Sequence, residues 1–200
     1  MRYGPEHKKA TRARVLQQAA RAIRAEGPHR IGVAEVMARA GLTHGGFYAH
    51  FASKDDLVAA AIAQMFDEAL AVFERVTAGK PAREALRAYI DLYLSPRHRD
   101  AKETGCPMAA LSADLPRLTG PARRQFAAGF SALATAFSNL ISASGRPESE
   151  PLARSVLAEM VGALTLARGT IGSKQSKAIL ETSRRSVASR LGLFEENQNA

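Results

Sequence analysis

The sequence predicts an all-α fold, on three observations. Helix-favouring Ala, Leu, Arg, Glu and Gln dominate the chain. No stretch holds the period-2 alternation of a half-buried strand. Gly and Pro fall mostly between the apolar-periodic segments, where they act as breaks.

The elements follow in order. A first helix is expected from Lys8–Thr11 to Gly27-Pro28. Val15, Ala19 and Ile23 recur there at i, i+4 and i+8, with Leu16 and Ala20 beside them and Arg12, Arg14, Arg21 and Arg24 on other faces. A short helix from Val33 to Ala40 turns Val36 and Met37 inward. Gly41-Leu42-Thr43 makes a tight turn, and a second short helix runs from His44 to His50. Ser53 then caps a helix with Asp55 and Asp56 in its first turn, where the dipole favours carboxylates. That helix carries Leu57, Ile62, Phe66, Leu70 and Phe73, and fades near Gly79-Lys80-Pro81. Further helices are predicted at 82–94, 106–116, 121–143, 151–170 and 174–191, separated by Gly105, Pro116, Gly120-Pro121, Gly145-Arg146-Pro147 and residues 169–173. Glu195–Ala200 is a polar tail expected to fray. Two regions result: a three-helix head, residues 1–54, and a helical-bundle body, residues 55–200, with the 55–77 helix linking them.

Charge separates these regions. The net charge is +9, and residues 1–54 hold ten Lys or Arg against three Asp or Glu, whereas the remainder is nearly balanced. A concentrated basic segment suits phosphates, although acidic membranes and acidic proteins attract it too. With 46% apolar and 24% charged residues, the chain has the balance of a folded globular protein. The uninterrupted apolar runs fall short of a bilayer span, and the basic N-terminus lacks the apolar core of a signal peptide, so a cytoplasmic location and no membrane partner are expected. Cys106 is the single cysteine and forms no internal disulfide.

Residues Ile31–His50 meet the physical needs of a helix-turn-helix. Gly41 supplies a left-handed turn position. Leu42 buries the turn, and Thr43 is placed to cap the second helix. Val33, Val36, Met37, Leu42, Phe47 and Phe51 form an inward set bridging both helices. Thr43, His44, Gly45 and Gly46 are left facing outward at the N-terminal end of the second helix, the end that meets base edges in this motif.

Thr11-Arg12-Ala13-Arg14-Val15-Leu16, Gly41-Leu42-Thr43, Gly45-Gly46-Phe47-Tyr48, His50-Phe51 and Ser53-Lys54-Asp55-Asp56-Leu57 together resemble the N-terminal domain of the TetR/AcrR repressor family, over about residues 10–60. Gly105–Leu111 with Asp114-Leu115 is similar to a ligand-domain segment of one subgroup. The resemblance implies a dimeric, all-helical regulator: an N-terminal helix-turn-helix DNA-binding domain and a C-terminal helical-bundle ligand-binding and dimerisation domain. The N-terminal domains would hold a palindromic double-stranded DNA operator, and a small-molecule effector would release it. By analogy, Thr43, Gly45, Tyr48, His50 and Lys54 fall where phosphate or base contacts are made. Gly46 stands where the family commonly carries a side chain, so specificity would lean on His44, Arg39 and DNA shape. Plainer readings stand beside these: core packing for Tyr48, and solvated surface for His50 and Lys54.

In the body, Val156, Met160, Val161, Leu164 and Ala167 line one helix and Ile179, Leu180, Val187 and Leu191 the next. Such stripes serve a homodimer surface through about 151–191 or an ordinary bundle core. Tyr89, Tyr93, Met108 and Phe126, with Phe130, Phe137 and Leu164, are candidates to line a pocket for a hydrophobic or aromatic effector, or plain core. Cys106, near an expected helix start, is a candidate reactive thiol in that region or a small buried residue. No cofactor and no metal are expected: His7, His29, His44, His50 and His98 are scattered. Phosphate-loop, nucleophile-elbow and zinc-protease motifs are absent, which argues against an enzyme. The competing reading is a helical ligand- or partner-binding module with only non-specific DNA affinity.

Overall fold

The computed structural model describes residues 5–194, so the tail at 195–200 lies outside the described residues. The helices are α1 (Pro5–Glu26), α2 (Val33–Arg39), α3 (Lys54–Thr77), α4 (Ala82–Tyr93), α5 (Pro96–Asp100), α6 (Pro107–Leu111), α7 (Gly120–Ala143), α8 (Ser149–Gly169) and α9 (Lys174–Arg190). Two 3-10 segments, His44–Ala49 and Leu115–Arg117, complete the set, and no strand occurs among the described residues. The fold is all-α, as the periodicity predicts. The chain forms two compact units: one runs up to Ala69 and resumes at Lys102–Phe130, and the other comprises Leu70–Ala101 and the chain from Ser131 onward.

In the first unit, α1 packs on α2 and α6, and α2 packs on the His44–Ala49 segment. Val15, Ala19 and Ile23 of α1 are buried with Val36, Met37, Phe47, Phe51, Leu57 and Ile62, so the helical spacing delivers the expected core. Arg24 is buried there and does not take a solvent-facing side. Its guanidinium donates to the Met65 carbonyl at 3.2 Å and to Glu68 at 2.6 Å, which pays its desolvation and ties α1 to α3. The ring of Phe66 lies where a Cβ on Gly129 would sit, at 2.1 Å, so α7 approaches α3 as closely as a bare backbone allows.

In the second unit, α8 packs along α9, and α4 and α5 close against them. Phe73, Tyr89 and Phe137 form an aromatic cluster, with ring centroids 4.8 Å apart for Phe73–Tyr89 and 5.9 Å for Tyr89–Phe137. Arg99 donates to the buried Ser176 hydroxyl at 2.9 Å, and that hydroxyl donates to the Ala167 carbonyl at 2.7 Å, pinning α5 to the α8–α9 corner.

Four expectations change. The helix expected at 106–116 is broken: α6 ends at Leu111, and Pro116, which has no N–H to donate to a continuing helix, falls in a separate 3-10 turn. α5 was not foreseen, although Ser95 accepts from the His98 N–H and Pro96 fills the first turn. The α8–α9 stripe faces inward: Val156, Met160, Leu164, Ala167, Leu180, Val187 and Leu191 are buried within their own unit. Those side chains are core, whereas Val161 and Ile179 of the same stripes are half-buried and Leu166 and Ile171 beside them are exposed. Finally, α7 is long and apolar enough to span a bilayer by length and composition, with mean hydropathy 1.4. Its uncharged run continues through Ser, Thr and Asn, which interrupt a strictly apolar count. Its exposed side carries Ala127, Ala128, Ser131, Thr135 and Asn139, a small and polar face unlike one turned to lipid.

Candidate nucleic-acid interface

The helix-turn-helix is built from two short elements and a glycine. α2 ends where Gly41, at φ +71°, reverses the backbone. The Gly41 N–H then reaches the Ala38 carbonyl at 2.9 Å and the Leu42 N–H the Met37 carbonyl at 2.9 Å, satisfying the helix end. A β-carbon at Gly41 would oppose that conformation. The second element, His44–Ala49, is 3-10 rather than α-helical. Thr43 sits at its N-cap in extended geometry, yet its side chain makes no capping bond, contrary to expectation. The backbone closes the turn instead, Gly46 N–H to Thr43 carbonyl at 3.1 Å, and the Thr43 hydroxyl is left outward. Two rings fix the segment from below: Phe47 and Phe51 stack at 5.6 Å, and the Arg12 guanidinium lies 4.8 Å over Phe51. Arg12 thus has a fixed place in the motif.

The next helix is capped as the sequence indicates. Ser53 Oγ accepts from the Asp56 N–H at 3.1 Å, and the Asp56 carboxylate accepts from the Ala52 N–H at 3.1 Å. This reciprocal pair sets the start of α3 and the position of Lys54, whose ammonium donates to the His29 carbonyl at 3.2 Å.

Each foreseen contact residue can now be placed. Thr43, His44 and Gly45 are exposed, Gly46 is half-buried, and Tyr48 is 71% exposed with its ring edge on Phe47. Tyr48 is therefore not core. Lys54 is exposed, and His50 is half-buried. Burial, followed by the nearby Lys8 and Arg12 charges, holds the His50 imidazole below its ordinary pKa. Arg39 is exposed but engaged, donating to Glu35 at 2.6 Å and to Glu26 at 3.1 Å. A β-carbon at Gly45 would meet nothing within 4 Å, and one at Gly46 would only touch Met37 at 3.7 Å.

The body candidates divide between the units. Tyr89, Tyr93, Phe137 and Leu164 are buried in the second. Cys106 and Met108 are buried in the first, where Phe126 and Phe130 are half-buried and Phe126 meets Phe66 edge-on at 5.3 Å. No group of three or more potential metal ligands converges among the described residues.

These features define a helix-turn-helix joined to an all-helical body. Residues 15–61 match the family of bacterial regulatory proteins, tetR family. No curated protein sequence matches the chain. Among solved structures, a TetR transcriptional regulator from Chloroflexus aurantiacus J-10-FL is 26% identical, with TM-score 0.79 over 94% of this chain and 96% of that one. The reduced form of Escherichia coli NemR is similar in fold at 20% identity, with TM-score 0.79 over 90% and 97% of the two chains. A TetR-family regulator from Cytophaga hutchinsonii is 17% identical, with TM-score 0.82 over 98% and 100%. Residues 15–61 thus match the DNA-binding domain of the tetR family, and the chain as a whole is similar in fold to TetR-family transcriptional regulators.

Proposed function

We propose that this regulator is a repressor working in the cytoplasm. Two copies hold the halves of a palindromic operator through residues 1–54, and a small, largely apolar effector taken up by residues 55–200 releases them. The exposed tip of the motif carries the reading. Glycine at 45 is not required by local packing, since a β-carbon there would meet open space. A bare, solvent-facing backbone at the N-terminal end of the second element instead suits close approach to DNA. Around it, the Tyr48 hydroxyl and Lys54 ammonium are the phosphate contacts, with Thr43 and His50 flanking them. His44 reaches base edges, and Arg39 can join it only by giving up or sharing Glu26 and Glu35.

One motif this short reads too few base pairs for useful specificity, so two copies act together. They associate through about residues 151–191, using the outward side of α8 and the turn after it, where Leu166 is 63% and Ile171 47% exposed. The aromatic cluster of Tyr89, Tyr93 and Phe137, with Leu164, is the leading effector contact. Cys106, Met108, Phe126 and Phe130 are secondary candidates.

Fluorescence anisotropy with a duplex selected from random sequence and its scrambled counterpart tests the reading. The regulator prefers the selected duplex by roughly 10³-fold or more at physiological salt. Equal binding to both duplexes, fading together between about 50 and 200 mM salt, would identify a module with non-specific DNA affinity only.

A further inference from the structure

We propose that the cleft beside the C-terminus of α9 binds a small polyanion, either a phosphate compound or a di- or tricarboxylate. The inference stands apart from the DNA reading. α9 ends in a left-handed turn at Gly192, φ +66°. The Gly192 N–H reaches the Ser189 carbonyl at 2.9 Å, and the Leu193 N–H the Ala188 carbonyl at 2.8 Å. Three carbonyls on either side of that turn are each taken by a different arginine: Arg146 donates to Arg190 O, Arg83 to Gly192 O and Arg87 to Leu193 O. Arg83 and Arg87 stand one turn apart on α4 and share a face, and Arg146 comes from the segment between α7 and α8. Together with Glu84, Gly192, Leu193 and Phe194 they line an open cleft of about 680 Å³.

Capping a helix end explains part of this cluster and leaves a remainder. The C-terminal dipole amounts to roughly half a negative charge, which one cation satisfies. Three guanidinium groups converge here, and two of them repel at i,i+4 spacing. Among the described residues none of the three has an ion-pair partner, and Glu84 is the one acid lining the cleft. Each guanidinium has five N–H donors in a planar fork, and its carbonyl bond uses one. Unspent donors of like charge around an open volume match an oxyanion carrying two or more charges. The anion is a free molecule carrying two or more charges.

Calorimetric titration of the full chain with pyrophosphate and with citrate, at constant ionic strength set with sodium chloride, tests this. Saturable one-site binding is expected, at least tenfold weaker in Arg87→Gln and Arg146→Gln and unchanged at the exposed cations, in Lys102→Gln and Lys177→Gln. Should Arg146→Gln melt out, Arg146→Lys keeps a cation there and retains more binding than an Arg87→Gln/Arg146→Lys double variant. The proposal is overturned if the wild type does not bind saturably, or if folded Arg87→Gln and Arg146→Gln bind as tightly as wild type.

Discussion

Gly45 and Tyr48 are positions where stability and the proposed function ask for different residues. Gly45 has neither a positive φ nor a close neighbour, so alanine there leaves the fold intact or stabilises it by up to about 1 kcal/mol. The same β-carbon stands between the motif and a phosphate or base edge, so Gly45→Ala should weaken operator binding about tenfold or more. Denaturant unfolding and anisotropy on one preparation check both signs together. Tyr48→Phe should leave stability within about 0.5 kcal/mol and weaken binding several-fold, since it removes one hydroxyl contact. Lys54→Gln should reduce the slope of log affinity against log salt by about one. The Ser53 cap was legible because its signal is local: a capping residue with two carboxylates in the turn that follows. Arg39 was not, because Glu26 lies 13 positions away in the chain and only folding brings the two within 3.1 Å. Thr43 failed as a side-chain cap because the 3-10 turn gives the Gly46 N–H a backbone acceptor.

Among the helices, apolar spacing revealed which residues turn inward and concealed what they turn toward. The α8 and α9 stripes fit a partner surface and a bundle core equally well, and burial assigns most of their side chains to the core, with Val161 and Ile179 left half-buried. Gly129 gave no signal at all, since its meaning lies in Phe66, 63 positions earlier in the chain. Gly129→Ala should destabilise by at least about 2 kcal/mol despite the better helix propensity of alanine, because the ring must move; thermal melting measures the loss. α5 supplies a pH dependence. His98 Nδ1 donates to the Tyr93 carbonyl at 2.8 Å, yet burial, aided by Arg168, holds its pKa below the ordinary value. The unfolded chain therefore holds a proton that the folded chain has released. The stabilising effect is complete above about pH 6.5 and is lost as pH falls below it. His50 acts in the same direction. The melting temperature should fall between about pH 6.5 and 5.5, and less steeply in His98→Asn.

Taken as a whole, the molecule concentrates positive charge in residues 1–54, and the match to bacterial regulatory proteins falls largely on the same stretch, residues 15–61. Charge and local motif were sufficient to expect a DNA-binding head. The effector and the self-association face were not legible, because both depend on which sides of amphipathic helices remain outward after packing. The central claim is that the tip from Thr43 to Lys54 reads an operator. Selection of bound duplexes from random DNA, run with the wild type and with Tyr48→Ala/Lys54→Gln, tests it most directly. The account predicts a palindromic sequence enriched by the wild type, with half-sites about one helical turn apart, and no enrichment by the variant. The same sequence enriched equally by both proteins, or none enriched by the wild type, would contradict it.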